Sequence, residues 1–146
     1  MDLTSDHPFW FVRNGLLQTY PPLEQDESCD VAVVGAGITG ALIAHRLTQI
    51  GLAVVVVDGR DVCLGSTSAS TALLQYEIDL PLVEMAEKIG IESARRAYRL
   101  SYKAVDALAK LADELPADCG FDRKTSLYVA ADEKKAALLA DEAEAR

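Results

Sequence analysis

The sequence predicts an α/β protein organised around a parallel βαβ unit, and three observations carry that expectation. A short apolar run, Asp30 to Val34 (DVAVV), is followed at once by glycines. From Ile38 to Ile50 the apolar residues Ile38, Ala41, Leu42, Ala44 and Leu47 recur at helical spacing. Leu52 to Val57 (LAVVVV) is then a second apolar run, unbroken in the way that suits a strand covered on both faces of a sheet. Strand, helix and strand within Asp30 to Asp58 make one compact crossover unit.

The remaining elements follow in chain order. Residues 1–29 read as an arm without regular structure: Pro8, Pro21 and Pro22 interrupt it, and Phe9, Trp10, Phe11 and Tyr20 give it apolar anchors. Gly51 stops the first helix as a C′ residue. Gly59 to Ser70 is a loop of small polar residues, after which Ala69 to Leu74 begins a short helix. Leu80 to Ile89 is a helix ended by Gly90. The longest helix is Glu92 to Leu115, with Tyr98, Tyr102, Val105, Leu108, Ala112 and Leu115 on one face and Pro116 directly after it. Ser126 to Ala130 (SLYVA) reads as a strand. Asp132 is placed to cap a last helix, which runs to Arg146 without a stop signal, the pattern expected of a truncated chain. No internal repeat or low-complexity tract is present.

Charge narrows the partners. Lys and Arg number 14 against 23 Asp and Glu, a formal net charge of -9 over 146 residues. Such a surface repels nucleic acid and anionic membrane, so neither is expected as a partner. The longest uncharged stretch, Val31 to Ala44, contains three glycines and falls short of the roughly 20 apolar residues of a membrane span. The opening MDLTSDHPFW lacks the basic and apolar regions of a signal peptide, which points to a cytoplasmic protein. Cys29, Cys63 and Cys119 are odd in number and contain no CxxC pair, so neither a disulfide framework nor a metal site is expected. Cys63 alone lies in the loop that follows the βαβ unit.

The chemistry resides in Gly35-Ala36-Gly37-Ile38-Thr39-Gly40, a GxGxxG between strand and helix. The hexapeptide alone is a weak signal; its position in a βαβ unit makes it a dinucleotide-binding fingerprint. Gly35 permits the tight turn, Gly37 the close approach of a pyrophosphate, and Gly40 the packing of helix on strand. The helix N-terminus offers unpaired N–H groups and a positive dipole end to phosphates. Asp58 ends the second strand 18 residues after Gly40, near the ~20 expected of an acid that accepts ribose hydroxyls. Each element also has a plainer reading: Gly37 could serve the turn alone and Asp58 could be a solvated strand end. Asp30, at the strand start, departs from the neutral or basic residue usual there.

Asp58 disfavours NADP, whose 2′-phosphate it would repel. An NAD domain should continue into a helix and a third apolar strand. Instead the chain runs Gly59-Arg60-Asp61-Val62-Cys63-Leu64-Gly65 and then Ser66-Thr67-Ser68-Ala69-Ser70-Thr71. Glycine and small hydroxyl residues suit close approach of a second ligand segment, although a flexible linker or a helix cap at Thr67 or Ser68 would read the same way.

DVAVVGAGITGALIAHRLTQIGLAVVVVD followed by GSTSASTALLQYEID resembles the N-terminal part of the D-amino-acid-oxidase-like superfamily of FAD-dependent oxidoreductases. The resemblance is strong from Asp30 to about Ser70 and looser to Arg146. It implies a Rossmann-like FAD-binding unit over residues 30–75, and a helical segment with the start of a second, substrate-domain sheet over 76–146, beyond the arm of 1–29. It implies that the loop of Gly35, Ala36, Gly37, Ile38, Thr39 and Gly40 holds the FAD pyrophosphate and that Asp58 binds the adenosine ribose. Arg60 would lie near the adenine end, with Gly59 beside it among the cofactor-binding residues, and Ser66, Thr67 and Ser68 would reach toward pyrophosphate and flavin. The implied activity is oxidation of an amine or amino-acid C–N bond with hydride transfer to the flavin. Chains of that family are more than twice as long, and no catalytic residue is assigned. His45 reads as a helix-face residue and His7 lies in the arm, so neither stands out for covalent flavin attachment. Two rivals remain at this stage: a fragment of an NAD-dependent reductase, and a truncated chain or small subunit without catalysis of its own, which needs the rest of the enzyme as partner.

Overall fold

The computed structural model describes residues 6–16 and 18–146; residues 1–5 and 17 of the expected arm lie outside the described residues. The chain forms two compact units, Met1–Ala72 and Leu73–Arg146.

The first unit is built on β1 (Val31–Val34), α2 (Ile38–Gln49) and β2 (Val54–Val57), preceded by a short α1 (Phe9–Asn14). β1 and β2 pair in parallel with Val31 opposite Val54 and Val34 opposite Val57, as the crossover through α2 requires. The bond from Gly35 N–H to the Val57 carbonyl, 2.7 Å, carries the ladder into the glycine loop. Asp30 fastens the other end. Its N–H donates to the Ala53 carbonyl at 2.9 Å, and its Oδ2 accepts the Ala53 N–H at 2.8 Å. The acid that departs from the usual pattern therefore acts as a strand clamp.

Three expectations for this unit change. The arm is not wholly irregular, because Phe9–Asn14 is helical, opened by Val12 N–H to the Pro8 carbonyl and closed by Gly15 N–H to the Phe11 carbonyl. Aromatic and β-branched residues are poor helix formers, so this turn depends on tertiary contact with the segment at Ser70. The helix expected at Ala69 to Leu74 is instead a 3-10 turn, Ser66–Ala69, and Ser70 is already extended (φ -68, ψ 148). The valine run is not covered on both faces: the sheet has two strands among the described residues, Val56 is 40% exposed, and none of Val54 to Val57 is fully buried.

The second unit is helical: α3 (Leu82–Ile89), α4 (Ile91–Glu114) and α5 (Glu133–Ala145). Gly90, at φ +81, ends α3 and opens α4. A left-handed residue lets the chain reverse there within one position. Leu82, Ala94 and Tyr98 form the buried centre, with Tyr76, Met85, Ala86 and Ala145 packed against it. Tyr98 donates its hydroxyl to the Leu80 carbonyl at 2.7 Å, and burial pushes its phenol above the usual value. Of the face expected on α4, Tyr98 is buried, whereas Tyr102 and Leu115 are largely exposed. Asp132 caps α5 as expected, accepting the Lys135 N–H at 2.8 Å.

Glu142 supplies a cap that crosses between helices. It is buried, and its two oxygens accept the N–H groups of Leu82 (2.8 Å) and Val83 (2.9 Å) at the start of α3. Arg146 donates to it at 2.7 Å, reaches Tyr76 and Glu77, and lies over the rings of Tyr76 and Tyr98. Burial by itself raises the Glu142 carboxyl, but those N–H groups and the guanidinium outweigh it and hold the group below the usual carboxylate range.

The strand expected at Ser126 to Ala130 is absent, and with it the start of a second sheet. Leu127, Tyr128 and Val129 are exposed, and no strand pairs with them among the described residues. β-propensity expresses a fit to a neighbouring strand, so without one the segment stays unpaired. No described helix is long and apolar enough to cross a membrane.

Candidate functional site

The glycine loop leaves β1 through Gly35, whose φ of +107 excludes a side chain at low strain. Gly40 has a different reason. A Cβ there would lie 1.9 Å from the Gly35 carbonyl oxygen and 3.4 Å from Val33 Cγ1, so helix α2 sits directly on the loop and strand. At Gly37 the nearest atom to an added Cβ is the Thr67 hydroxyl, 3.0 Å away, whereas open space borders Gly35 and Gly59.

Two side chains from later in the sequence close on this loop. Asp58 accepts the Ala36 N–H through Oδ2 at 2.7 Å and the Arg60 N–H through Oδ1 at 2.9 Å. The Ala36 N–H, then the Arg60 N–H, hold its carboxyl below the usual range. Thr67 Oγ1 accepts the Ile38 N–H at 3.1 Å, the first N–H of α2. Ala36 is thus bonded on both sides, because its carbonyl accepts the Cys63 N–H at 3.0 Å. Cys63 holds φ +65 to make that contact.

Of the expected site residues, the structure brings Gly35, Ala36, Gly37, Ile38, Gly40, Asp58, Arg60 and Thr67 together. The Arg60 guanidinium lies across Gly65, where an added Cβ would stand 3.2 Å from Nη2. Thr39 is exposed in the first turn of α2, and Gly59 and Ser66 are exposed beside the loop. Ser68 turns inward: it is buried and its hydroxyl donates to the Gly65 carbonyl at 2.8 Å. Its role is to shape the turn, and the hydroxyl facing α2 is that of Thr67.

Sequence reasoning did not anticipate two participants. The Trp10 indole N–H donates to the Ser70 carbonyl at 2.8 Å, a link across sixty positions with no local signal. The Cys63 bond to Ala36 needs a left-handed non-glycine residue, which composition does not announce. Cys29, Cys63 and Cys119 are free thiols. Among the described residues no cluster of His, Cys, Asp or Glu could hold a metal ion.

Residues 30–146 match the family model described as FAD dependent oxidoreductase. The chain belongs to that family. Its cofactor is FAD, which sets aside the nicotinamide reading, and its members are enzymes. The chain is 33% identical over 115 residues to YhfW of Bacillus subtilis (strain 168), whose name proposes a Rieske 2Fe-2S iron–sulfur protein; the match covers 78% of this chain and 23% of that one. It is 27% identical over 127 residues to gamma-glutamylputrescine oxidoreductase of Escherichia coli (strain K12), covering 86% of this chain and 29% of that one. It is 32% identical over 114 residues to the tRNA 5-methylaminomethyl-2-thiouridine biosynthesis bifunctional protein MnmC of Maricaulis maris, covering 76% and 17%. The chain therefore spans less than a third of the length of these curated relatives. No solved structure matches it significantly.

Proposed function

We propose that this chain is the cofactor-binding part of a flavoenzyme that oxidises a C–N bond of an amine or amino acid. The observation that supports it most is the convergence of Asp58 and Thr67 on one glycine loop at a helix N-terminus. The residues fit an FAD pyrophosphate. The space beside Gly35 and Gly59 is open to a close-lying ligand, and the first-turn N–H groups of α2 precede the first helical bond, Ala41 N–H to the Gly37 carbonyl.

In this reading Gly35, Ala36, Gly37, Ile38, Thr39 and Gly40 cradle the pyrophosphate. Thr67 accepts from Ile38 and keeps its own proton, so the hydroxyl can donate outward to a phosphate oxygen. Asp58 orders the loop through Ala36 and keeps lone pairs for the ribose hydroxyls. Gly59 and Arg60 border the adenine end, where the guanidinium adds positive charge. Ser66 stands exposed at the start of the turn, and Ser68 shapes the turn from within. When bound, FAD would supply the redox chemistry, accepting the hydride equivalent from the C–H next to the substrate nitrogen as the C–N bond is oxidised to C=N. Residues 30–75 form the cofactor-binding part, and 76–146 the helical segment with part of the substrate domain. The relatives named for glutamylputrescine and methylaminomethyl chemistry favour an amine substrate. The rest of the polypeptide, or a partner subunit, completes the active centre.

The test is the visible absorption spectrum of the chain after FAD is added and the excess removed, beside Gly37→Leu. Retained flavin bands in the parent and their loss in the variant are expected. Equal flavin content in both would refute the pyrophosphate site. A parallel titration with NADH is expected to show weaker binding than FAD.

A further inference from the structure

The helix α1 lies outside the residues that the family model matches, 30–146, yet it contacts the turn that carries Thr67. That turn is weakly held by its own backbone. The bonds Ser68 N–H to Gly65 O and Ser70 N–H to Thr67 O are both long, at 3.3 Å. Its first end is secured by the Ser68 hydroxyl on the Gly65 carbonyl. Its last end is secured by Trp10, whose indole N–H reaches the Ser70 carbonyl at 2.8 Å.

Trp10 is itself fixed. The ring of Phe9 stands edge-on to it at 5.0 Å, and the Arg13 guanidinium lies 5.5 Å over its face. An indole has one donor and no acceptor, so its hydrogen bond points one way once the ring is set. Three residues before the bonded carbonyl, Thr67 holds the Ile38 N–H at the mouth of α2.

We infer that Trp10 is a positioning residue for the cofactor loop: its indole N–H holds the Ser66–Ser70 segment where Thr67 meets the first turn of α2. The inference rests on the FAD reading above for its effect on affinity, although the clamp itself does not. Removing the donor while keeping an aromatic ring leaves α1 packed and releases the turn. The ligand then has to order that turn on binding, and its affinity falls.

The experiment uses the full chain as Trp10→Phe and Thr67→Val, with amide hydrogen exchange without cofactor and calorimetric titration with FAD. Exchange at Ile38 and Ser70 is expected to quicken about fivefold in Trp10→Phe, with β1 and β2 unchanged. FAD affinity is expected to weaken about five- to tenfold, the scale of one neutral hydrogen bond. Unchanged exchange at Ile38 and Ser70 overturns the clamp. Faster exchange spread evenly through α2, β1 and β2 also overturns it, because that is a loss of general stability. Faster local exchange with unaltered FAD affinity overturns the positioning role. If FAD binds equally well to Thr67→Val and Gly37→Leu, the cofactor-site reading fails, and the exchange pattern still decides the clamp.

Discussion

Asp58 Oδ2 accepts the backbone N–H of Ala36 at 2.7 Å, joining the end of β2 to the middle of the glycine loop. The carboxylate expected to serve a ribose is therefore also a structural brace. Its second oxygen takes the Arg60 N–H, so the loop and the chain leaving β2 share one anion.

The pH dependence of the site follows from that brace. The folded carboxyl titrates below its unfolded value, so its contribution is fully present above the unfolded value of about 4. It is lost as the pH falls through the lower folded value. FAD affinity is expected to owe no change to Asp58 between neutrality and about pH 4, and to decline only as the pH falls through the lower folded value. Asp58→Asn, whose amide presents only one acceptor oxygen, is expected to bind FAD roughly tenfold more weakly at pH 7. Titrations of both proteins at pH 7 check this, and equal affinities would count against the brace.

Gly40→Ala is expected to disrupt the first unit. The added carbon meets a backbone oxygen at 1.9 Å, and neither loop nor helix can yield without breaking the pairing at Gly35. A loss of about 3 kcal/mol or more is expected, read from urea unfolding followed through Trp10 fluorescence. Gly37→Ala meets one side-chain atom, the Thr67 hydroxyl oxygen at 3.0 Å, rather than backbone, so its unfolding midpoint should fall much less than that of Gly40→Ala.

Glu142 should govern the acid stability of the second unit. Its folded value is depressed, so its stabilisation is complete above the unfolded value of about 4.3 and disappears as the pH falls through the folded one. Glu142→Ala leaves the Leu82 and Val83 N–H groups without their acceptor and the Arg146 guanidinium with Tyr76 and Glu77 alone, at a cost of about 3 kcal/mol near neutrality. Circular-dichroism melts at pH 7 and pH 3 check the sign: the gap between parent and variant should shrink at pH 3.

The unpaired segment around Tyr128 is expected to make the chain self-associate. Leu127, Tyr128 and Val129 are 83%, 66% and 73% exposed in a run that is neither helix nor strand, and unpaired backbone beside exposed β-formers is a template for strand pairing. Leu127→Lys combined with Val129→Lys should move the sedimentation profile toward monomer and reduce binding of a hydrophobic dye. No change in either would show that other surfaces drive association.

Within the sequence itself, periodicity and punctuation located most helices within a residue or two. Gly90 and Asp132 mark ends by local chemistry, a left-handed turn and an N-cap, that needs no distant partner. The parallel pairing of β1 and β2 was legible because glycines and a helical period left a single crossover. The expectations that changed all depend on what lies alongside a segment. Phe9–Asn14 became helical against the turn at Ser70, and Ser126 to Ala130 stayed unpaired for want of a neighbouring strand.

The candidate site divides in the same way. The sequence by itself determined the βαβ unit, the glycine spacing and an acid at the end of β2, because φ preference and period are local properties. Tertiary structure alone decided that Thr67 rather than Ser68 faces Ile38, that Trp10 closes on Ser70, and that Glu142 caps α3. Each of these is a directional hydrogen bond between residues about thirty to sixty positions apart, and only the folded backbone brings its donor and acceptor within reach.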